Sequence, residues 1–223
     1  ARILRMDIDT TSRKGSHEKM IKAFKNHEYD ILLGTQIVAK GLDFSNVTLV
    51  GVINADTSLN IPDFRSSENT FSLLSQVAGR SGRSEKSGEV IIQTFNPDHY
   101  AISYTKMHDY NGFYKKEMEI RRTLKYPPFY YLCHIKISGK EMEYVSKEAE
   151  KIKRALTRNL VNCSILGPTP STIFRVNNIY RFGIILKYKQ EDKLKDTLEK
   201  VIEHYKGNGK IRIDIDFNPS QIY

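Results

Sequence analysis

The chain has 223 residues, 39% hydrophobic and 27% charged, with 13 Gly and 7 Pro. This composition excludes a coiled coil, a collagen-like fibre and wholesale disorder, and it allows one large or two small domains. The formal net charge is +9, and the excess lies wholly in the second half: residues 1–110 carry 13 Lys+Arg against 13 Asp+Glu, and residues 111–223 carry 22 against 13. Such an asymmetry suits a polyanionic partner, with nucleic acid the obvious one, and equally a merely soluble lysine-rich surface. The longest apolar run, residues 47–53, is far too short for a bilayer, and no basic start with an apolar h-region opens the chain, so no membrane partner is expected. Cys133 and Cys163 lack a CxxC spacing and read as buried free thiols of a reducing, cytoplasmic compartment. The absence of an initiator Met reads as a fragment of a longer protein.

In chain order, the pattern predicts a strand over 3–6, then a helix over 16–26 with Met20, Ile21 and Phe24 on one face, then a strand over 30–35. Residues 47–55 read as a strand buried on both faces, 68–78 as a helix and 89–95 as another strand. Repeated strand–helix units of this kind imply an α/β fold with a mostly parallel sheet and working loops at the strand ends. Residues 100–126 read as one helix stopped by Pro127-Pro128, which marks the domain boundary. A half-buried strand is predicted next, with Phe129, Tyr131, Cys133, Ile135 and Ile137 alternating. Met142, Val145, Ala149, Ile152, Leu156 and Leu160 then recur at helical steps. Strands over 171–176 and 180–188, a helix marked by Leu194, Leu198, Val201, Ile202 and Tyr205, and a final strand with Ile211, Ile213, Ile215 and Phe217 on one face complete the order. A β-α-β-β-α-β order predicts a ferredoxin-like α+β domain. The expected division is 1–100 as an α/β lobe, 101–126 as a helical connector and 127–223 as the α+β domain.

Two constellations carry chemistry. Gln76-Val77-Ala78-Gly79-Arg80-Ser81-Gly82-Arg83 places two arginines three apart, each after a glycine, just past an apolar helix. Glycine permits close backbone approach, and the forked, permanently charged guanidinium suits phosphate oxygens. Upstream stands Gly34-Thr35-Gln36-Ile37-Val38-Ala39-Lys40-Gly41-Leu42-Asp43-Phe44, at the end of the strand over 30–35. There a hydroxyl and an amide are able to meet a nucleic-acid backbone, and a carboxylate is able to accept a ribose hydroxyl. In the α+β domain, Arg175, Tyr180, Arg181, Lys187, Tyr188 and Lys189 form a basic and aromatic set fit to neutralise phosphates and stack on unpaired bases, although some of these tyrosines must belong to the core. Asp214 and Asp216 share a strand face with Lys210 and Arg212 close by and read as a solvated face, not a metal site.

The pair of constellations, in this order, resembles motifs V and VI of superfamily 2 helicases. Arg5-Met6-Asp7-Ile8-Asp9-Thr10-Thr11, Asp63-Phe64-Arg65-Ser66 with Glu68, Gly88-Glu89-Val90, Pro127-Pro128-Phe129 and Leu166-Gly167-Pro168 extend the likeness. Together they resemble the C-terminal half of the PriA family, the bacterial primosomal helicases of replication restart. That resemblance implies a second RecA-like helicase lobe followed by a domain that binds branched DNA. It implies an ATP-driven 3′ to 5′ DNA helicase that recognises abandoned forks and assembles a primosome, with branched or single-stranded DNA, single-strand-binding protein and primosome proteins as partners. By the same resemblance, Arg83 is the arginine finger, Arg80 a second phosphate contact and Gln76 the coupling residue. Gly41 and Asp43 lie near the nucleotide, and Thr35 and Lys40 near the DNA backbone. ATP and Mg2+ are implied but held mainly by the first lobe, because no GxxxxGK[ST] loop and no DExH-type carboxylate pair occur in this chain. It is therefore expected to be inactive alone. Zn2+ is implied for the full-length family and not for this fragment, whose two cysteines cannot supply four ligands. The alternative reading is a module with a RecA-like shape that binds DNA or replication proteins without hydrolysis.

Overall fold

The computed structural model describes residues 1–7, 15–35, 44, 46–79 and 88–222. They divide into two units, one of residues 1–61 and 65–114, the other of 62–64 and 115–223. In the first, β1 (Ile3–Met6) runs parallel to β2 (Ile31–Gly34), with α1 (Ser16–Lys25) between them in the chain. β3 (Leu49–Val52) runs parallel to β4 (Glu89–Ile92), and α2 (Asp56–Leu59) and α3 (Ser66–Ala78) lie between these. Parallel neighbours need such crossovers, since a tight turn cannot reverse the chain twice. α4 (Tyr100–Lys106) follows. The apolar stripe of α3 buries Phe71, Leu74 and Val77. Leu74 joins Ala55 and Ile102 in one cluster, while Phe71 stacks on Phe113 with ring centroids 4.1 Å apart.

The second unit takes in most of α5 (Tyr110–Thr123) and then runs β5 (Tyr131–Gly139), α6 (Met142–Asn159), β6 (Cys163–Val176), β7 (Ile179–Tyr188), α7 (Leu194–Tyr205) and β8 (Ile211–Phe217). Its strands pair antiparallel in the order β6-β7-β5-β8. Cys133, Ile135 and Ile137 on β5 and Phe182, Ile184 and Leu186 on β7 share one face. They pack with Val145, Ala149, Ile152 and Leu156 of α6 and Leu198 and Val201 of α7. Each fully buried aliphatic side chain contributes about 1.5–3 kcal/mol to holding that layer.

Several expectations need correction. The predicted strand over 47–55 shortens to Leu49–Val52 and is not buried on both faces: Leu49 is 56% exposed and Ile91 of its partner β4 52%. The single predicted helix over 100–126 is two helices. The chain breaks at His108, whose φ is 52°, and Asp109 caps the next helix by accepting from the Gly112 backbone N–H at 2.8 Å. A Cβ at Gly112 would collide with the Asp109 carboxylate and the Tyr104 ring, so a larger residue there must displace both side chains. β5 is buried on both faces rather than one, because Leu132 and His134 are covered as well. β6 begins eight residues before the predicted 171–176. Gly167, Pro168 and Pro170 argue against a strand, yet β6 is an edge whose ladder shifts register between Leu166 and Thr169 and again between Pro170 and Arg175, where prolines are tolerated.

Buried polar groups such as Glu148 lay outside the sequence reading. Glu148 of α6 is 6% exposed and accepts hydrogen bonds from Lys151 Nζ at 2.8 Å and Tyr205 Oη at 2.7 Å. Burial by itself raises its carboxyl, but the hydrogen bonds from Lys151 and Tyr205 outweigh it and hold the group below its ordinary 4.5. A carboxyl depressed on folding adds stability that is present above its unfolded value and lost as pH falls through the folded one. Acid titration of the unfolding midpoint below pH 4.5 is therefore expected to be shallower in Glu148→Gln than in the native chain.

Candidate nucleotide and nucleic-acid sites

In the first unit, several polar residues follow directly on strand ends among the described residues. Thr35 follows directly on β2 and is exposed. Asp7 follows β1, is 9% exposed, and accepts from the Arg5 guanidinium at 2.6 Å, which supports a structural role. Beyond β3, Asn54 Oδ1 accepts from the Asp56 backbone N–H at 3.0 Å and so opens α2. Asp56 in turn accepts from Thr94 Oγ1 at 3.0 Å and from the Phe95 N–H at 2.9 Å, tying the loops after β3 and β4 together. Sequence reading passed over Asn54 and Asp56, whose Asx chemistry at a strand end was the available signal. Gln76 is exposed on the last turn of α3, with Nε2 donating to Ser72 Oγ at 3.3 Å. It lies at the end of the helix that leads in sequence to Arg80. Lys40, Gly41, Asp43, Arg80 and Arg83 lie outside the described residues.

In the second unit, the expected basic and aromatic set does not share one face. Successive residues of a strand point to opposite sides, so Tyr180 and Tyr188 of β7 lie on the helix-covered side and Arg181, Lys187 and Lys189 on the other. Arg175 stands across from Tyr180 in the ladder, with its guanidinium 5.2 Å from the Tyr180 ring centroid and a hydrogen bond to Asn178 Oδ1. Arg175 is exposed at this hairpin tip, and Tyr180 and Arg181 are half-buried. Lys187 is a correction to the predicted DNA-binding set. It is 6% exposed, donates from Nζ to the Leu124 carbonyl at 2.9 Å, and lies 3.4 Å from the Tyr126 ring centroid. Burial and then nearby Lys125 lower its pKa. It is a cation spent on packing. A cleft of about 910 Å³ in this unit is bordered by Lys125, Lys187, Lys189 and Lys193 together with Glu191 and Asp192, so its lining is of mixed charge.

Cys133 is fully buried and its thiol is pushed up to about 12, and that of Cys163 is pushed up to about 11, in both cases chiefly by burial. Among the described residues, no three His, Cys, Asp or Glu side chains gather as a metal would need, and no helix is long and apolar enough to cross a membrane.

With this geometry in place, comparison with known proteins gives the class. Residues 2–85 match the family described as helicase conserved C-terminal domain. Residues 122–220 match the primosomal protein N C-terminal domain. The chain is 54% identical over 223 residues to the replication restart protein PriA of Bacillus subtilis, covering 98% of this chain and 28% of that one. It is 40% identical over 223 residues to the protein of the same name from Synechocystis, covering 99% and 26%. Against that of Haemophilus influenzae it is 32% identical over 226 residues, covering 99% and 30%. The chain belongs to the PriA replication-restart family, and it spans less than a third of the length of these curated relatives.

Proposed function

We propose that the full-length protein is an ATP-driven 3′ to 5′ DNA helicase that binds stalled or abandoned replication forks and starts primosome assembly in the bacterial cytoplasm. Its first unit here is the second wall of the nucleotide cleft and its second unit a fork-binding domain. The observation that carries this reading is that the similarity runs unbroken through both units, at 54% identity to a replication restart protein. The second unit's strand order, with helices on one face, supports the ferredoxin-like arrangement. Arg83 is the arginine finger, Arg80 a second phosphate contact and Gln76 the coupling residue. Gly41 and Asp43 border the nucleotide, and Thr35 and Lys40 the DNA backbone. ATP with Mg2+ supplies the transferable phosphoryl group and is held chiefly by a first lobe, while any Zn2+ belongs to parts of the family beyond these residues. Single-strand-binding protein and primosome proteins are the protein partners that the family resemblance supports.

The test compares the full-length protein with this chain on forked DNA. ATP hydrolysis stimulated by DNA is expected only in the former; equal fork binding with no hydrolysis by the full-length protein would support the non-hydrolysing module instead. In the second unit, Arg175 and Arg181 are the cations of the proposed DNA-binding set that remain after Lys187 is set aside. Alanine at both is expected to reduce the salt slope of fork binding by roughly one for each lost phosphate contact, while Lys187→Met leaves the slope unchanged. An unaltered slope in the double variant removes this hairpin from the interface.

A further inference from the structure

A series of aromatic rings runs from the interior of the first unit to its surface, and every ring in it belongs to that unit. Tyr100 at the start of α4 lies against Phe113 of α5 with centroids 5.8 Å apart and planes 15° from parallel, and Phe113 stacks in turn on Phe71 of α3 at 4.1 Å. Phe71 and Phe113 are buried, but the next two rings are not. Tyr110 meets Phe71 at 6.2 Å and is 62% exposed. Tyr114, four residues on and so on the same side of the helix, lies 6.3 Å from Tyr110 with planes 28° apart and is 51% exposed. Among the described residues this is the one ring pair in which both members are more than half exposed.

These two rings are held in place before any ligand arrives. The turn that precedes Tyr110 is capped by the Asp109 carboxylate on the Gly112 N–H, and the ring itself rests on the buried Phe71. Rings ordered in advance lose little further freedom when a planar ligand stacks on them. Unpaired bases are such a ligand: each has a π-face whatever its identity, and stacking on aromatic side chains is the sequence-tolerant way to hold a single strand. Lys106, exposed in the same turn, offers a cation to the backbone phosphates that accompany the bases. A protein partner fits this surface less well. The exposed neighbours Lys106, His108 and Asn111 are polar, and two phenol rings with Met107 make a small apolar area beside the about 800 Å² per partner that a stable protein interface buries.

We propose that Tyr110 and Tyr114 form a platform on which the bases of unpaired DNA stack. This rests on the DNA-helicase reading above and adds to it a contact surface built from the first unit's own residues, apart from the basic residues of the second. The contact is to bases and not to phosphates, so its loss weakens binding without changing how binding responds to salt.

The experiment measures binding of a single-stranded oligothymidylate to the full-length protein at several salt concentrations. Tyr114→Ala is expected to raise Kd at least about fivefold, the lower end of what one base–aromatic stack contributes, with the salt slope unchanged. Tyr114→Phe, which keeps the ring, retains the native affinity. Tyr110→Ala is expected to weaken binding in the same way, and its melting temperature is followed because it also loses the contact with Phe71. A strand of equal length with abasic sites keeps the phosphates and removes the bases, so the native protein and Tyr114→Ala should bind it alike. Native affinity for oligothymidylate in both alanine variants overturns the inference, as does an equal loss on the abasic strand. A lowered melting temperature in Tyr114→Ala with unaltered DNA affinity overturns it too, and assigns the rings to packing within the full-length protein. Failure of the unaltered protein to bind oligothymidylate overturns the DNA reading itself, a result separate from these.

Discussion

Arg83→Ala in the full-length protein is expected to lower DNA-stimulated ATP hydrolysis about 10³-fold or more, the scale of a lost arginine finger. The reason is electrostatic. Charge spreads over the equatorial oxygens of the transferring phosphoryl group, and a guanidinium aimed at them stabilises the transition state far more than the ground state. ATP affinity is therefore expected to fall much less than turnover, and Arg83→Lys should not rescue, because an ammonium lacks the planar fork. Steady-state hydrolysis on single-stranded DNA, with nucleotide binding followed separately, checks both. Normal turnover in Arg83→Ala would contradict the assignment.

Ile135→Ala is expected to destabilise the second unit by about 2–5 kcal/mol, the cost of a large-to-small change in a close-packed core. Ile135 is fully buried at the middle of β5, opposite Ile184 on one side and Ile215 on the other. Its side chain faces the layer formed with α6 and α7, where no solvent can fill the space left behind. Val161→Ala is the control: Val161 is 83% exposed, and its loss should stay within about 0.5 kcal/mol. Urea unfolding followed by amide exchange of β5, β7 and β8 measures both. A cost for Ile135→Ala below that of the control would mean that this layer does not organise the unit.

Where periodicity was strong and local, the sequence reading and the fold agree. Val145, Ala149, Ile152 and Leu156 form one stripe on α6, and all four are buried. Ile211, Ile213 and Ile215 alternate with charged neighbours and form β8 as expected. Disagreement arose where a long-range partner outweighs local preference. The first eight residues of β6 carry the breakers Gly167, Pro168 and Pro170 and are strand only because β7 offers a ladder to an edge that tolerates interruptions. Leu49 sits in a run apolar enough for burial on both faces, but burial depends on what packs above and below, and only one side is covered among the described residues. The helix break at His108 was legible in principle, since Asp109 is a capping residue, but the apolar content on both sides masked it.

For the site the contrast is sharper. Sequence alone was enough to place the chain in the PriA family, because motif spacing reports residue types and residue type is a local property; the roles of Gln76, Arg80 and Arg83 stay with the proposal. Tertiary structure alone decided which of the basic residues at the second unit are available. Lys187 and Lys189 look alike in the chain, yet Lys187 has given its charge to the Leu124 carbonyl and the Tyr126 ring while Lys189 remains exposed beside Tyr130. The same holds for Phe64, legible in the chain only as part of a motif until the fold stacks Tyr126 on it from 62 residues away. A side chain's partner depends on which distant segments the fold brings within a few ångströms, and no local pattern encodes that distance.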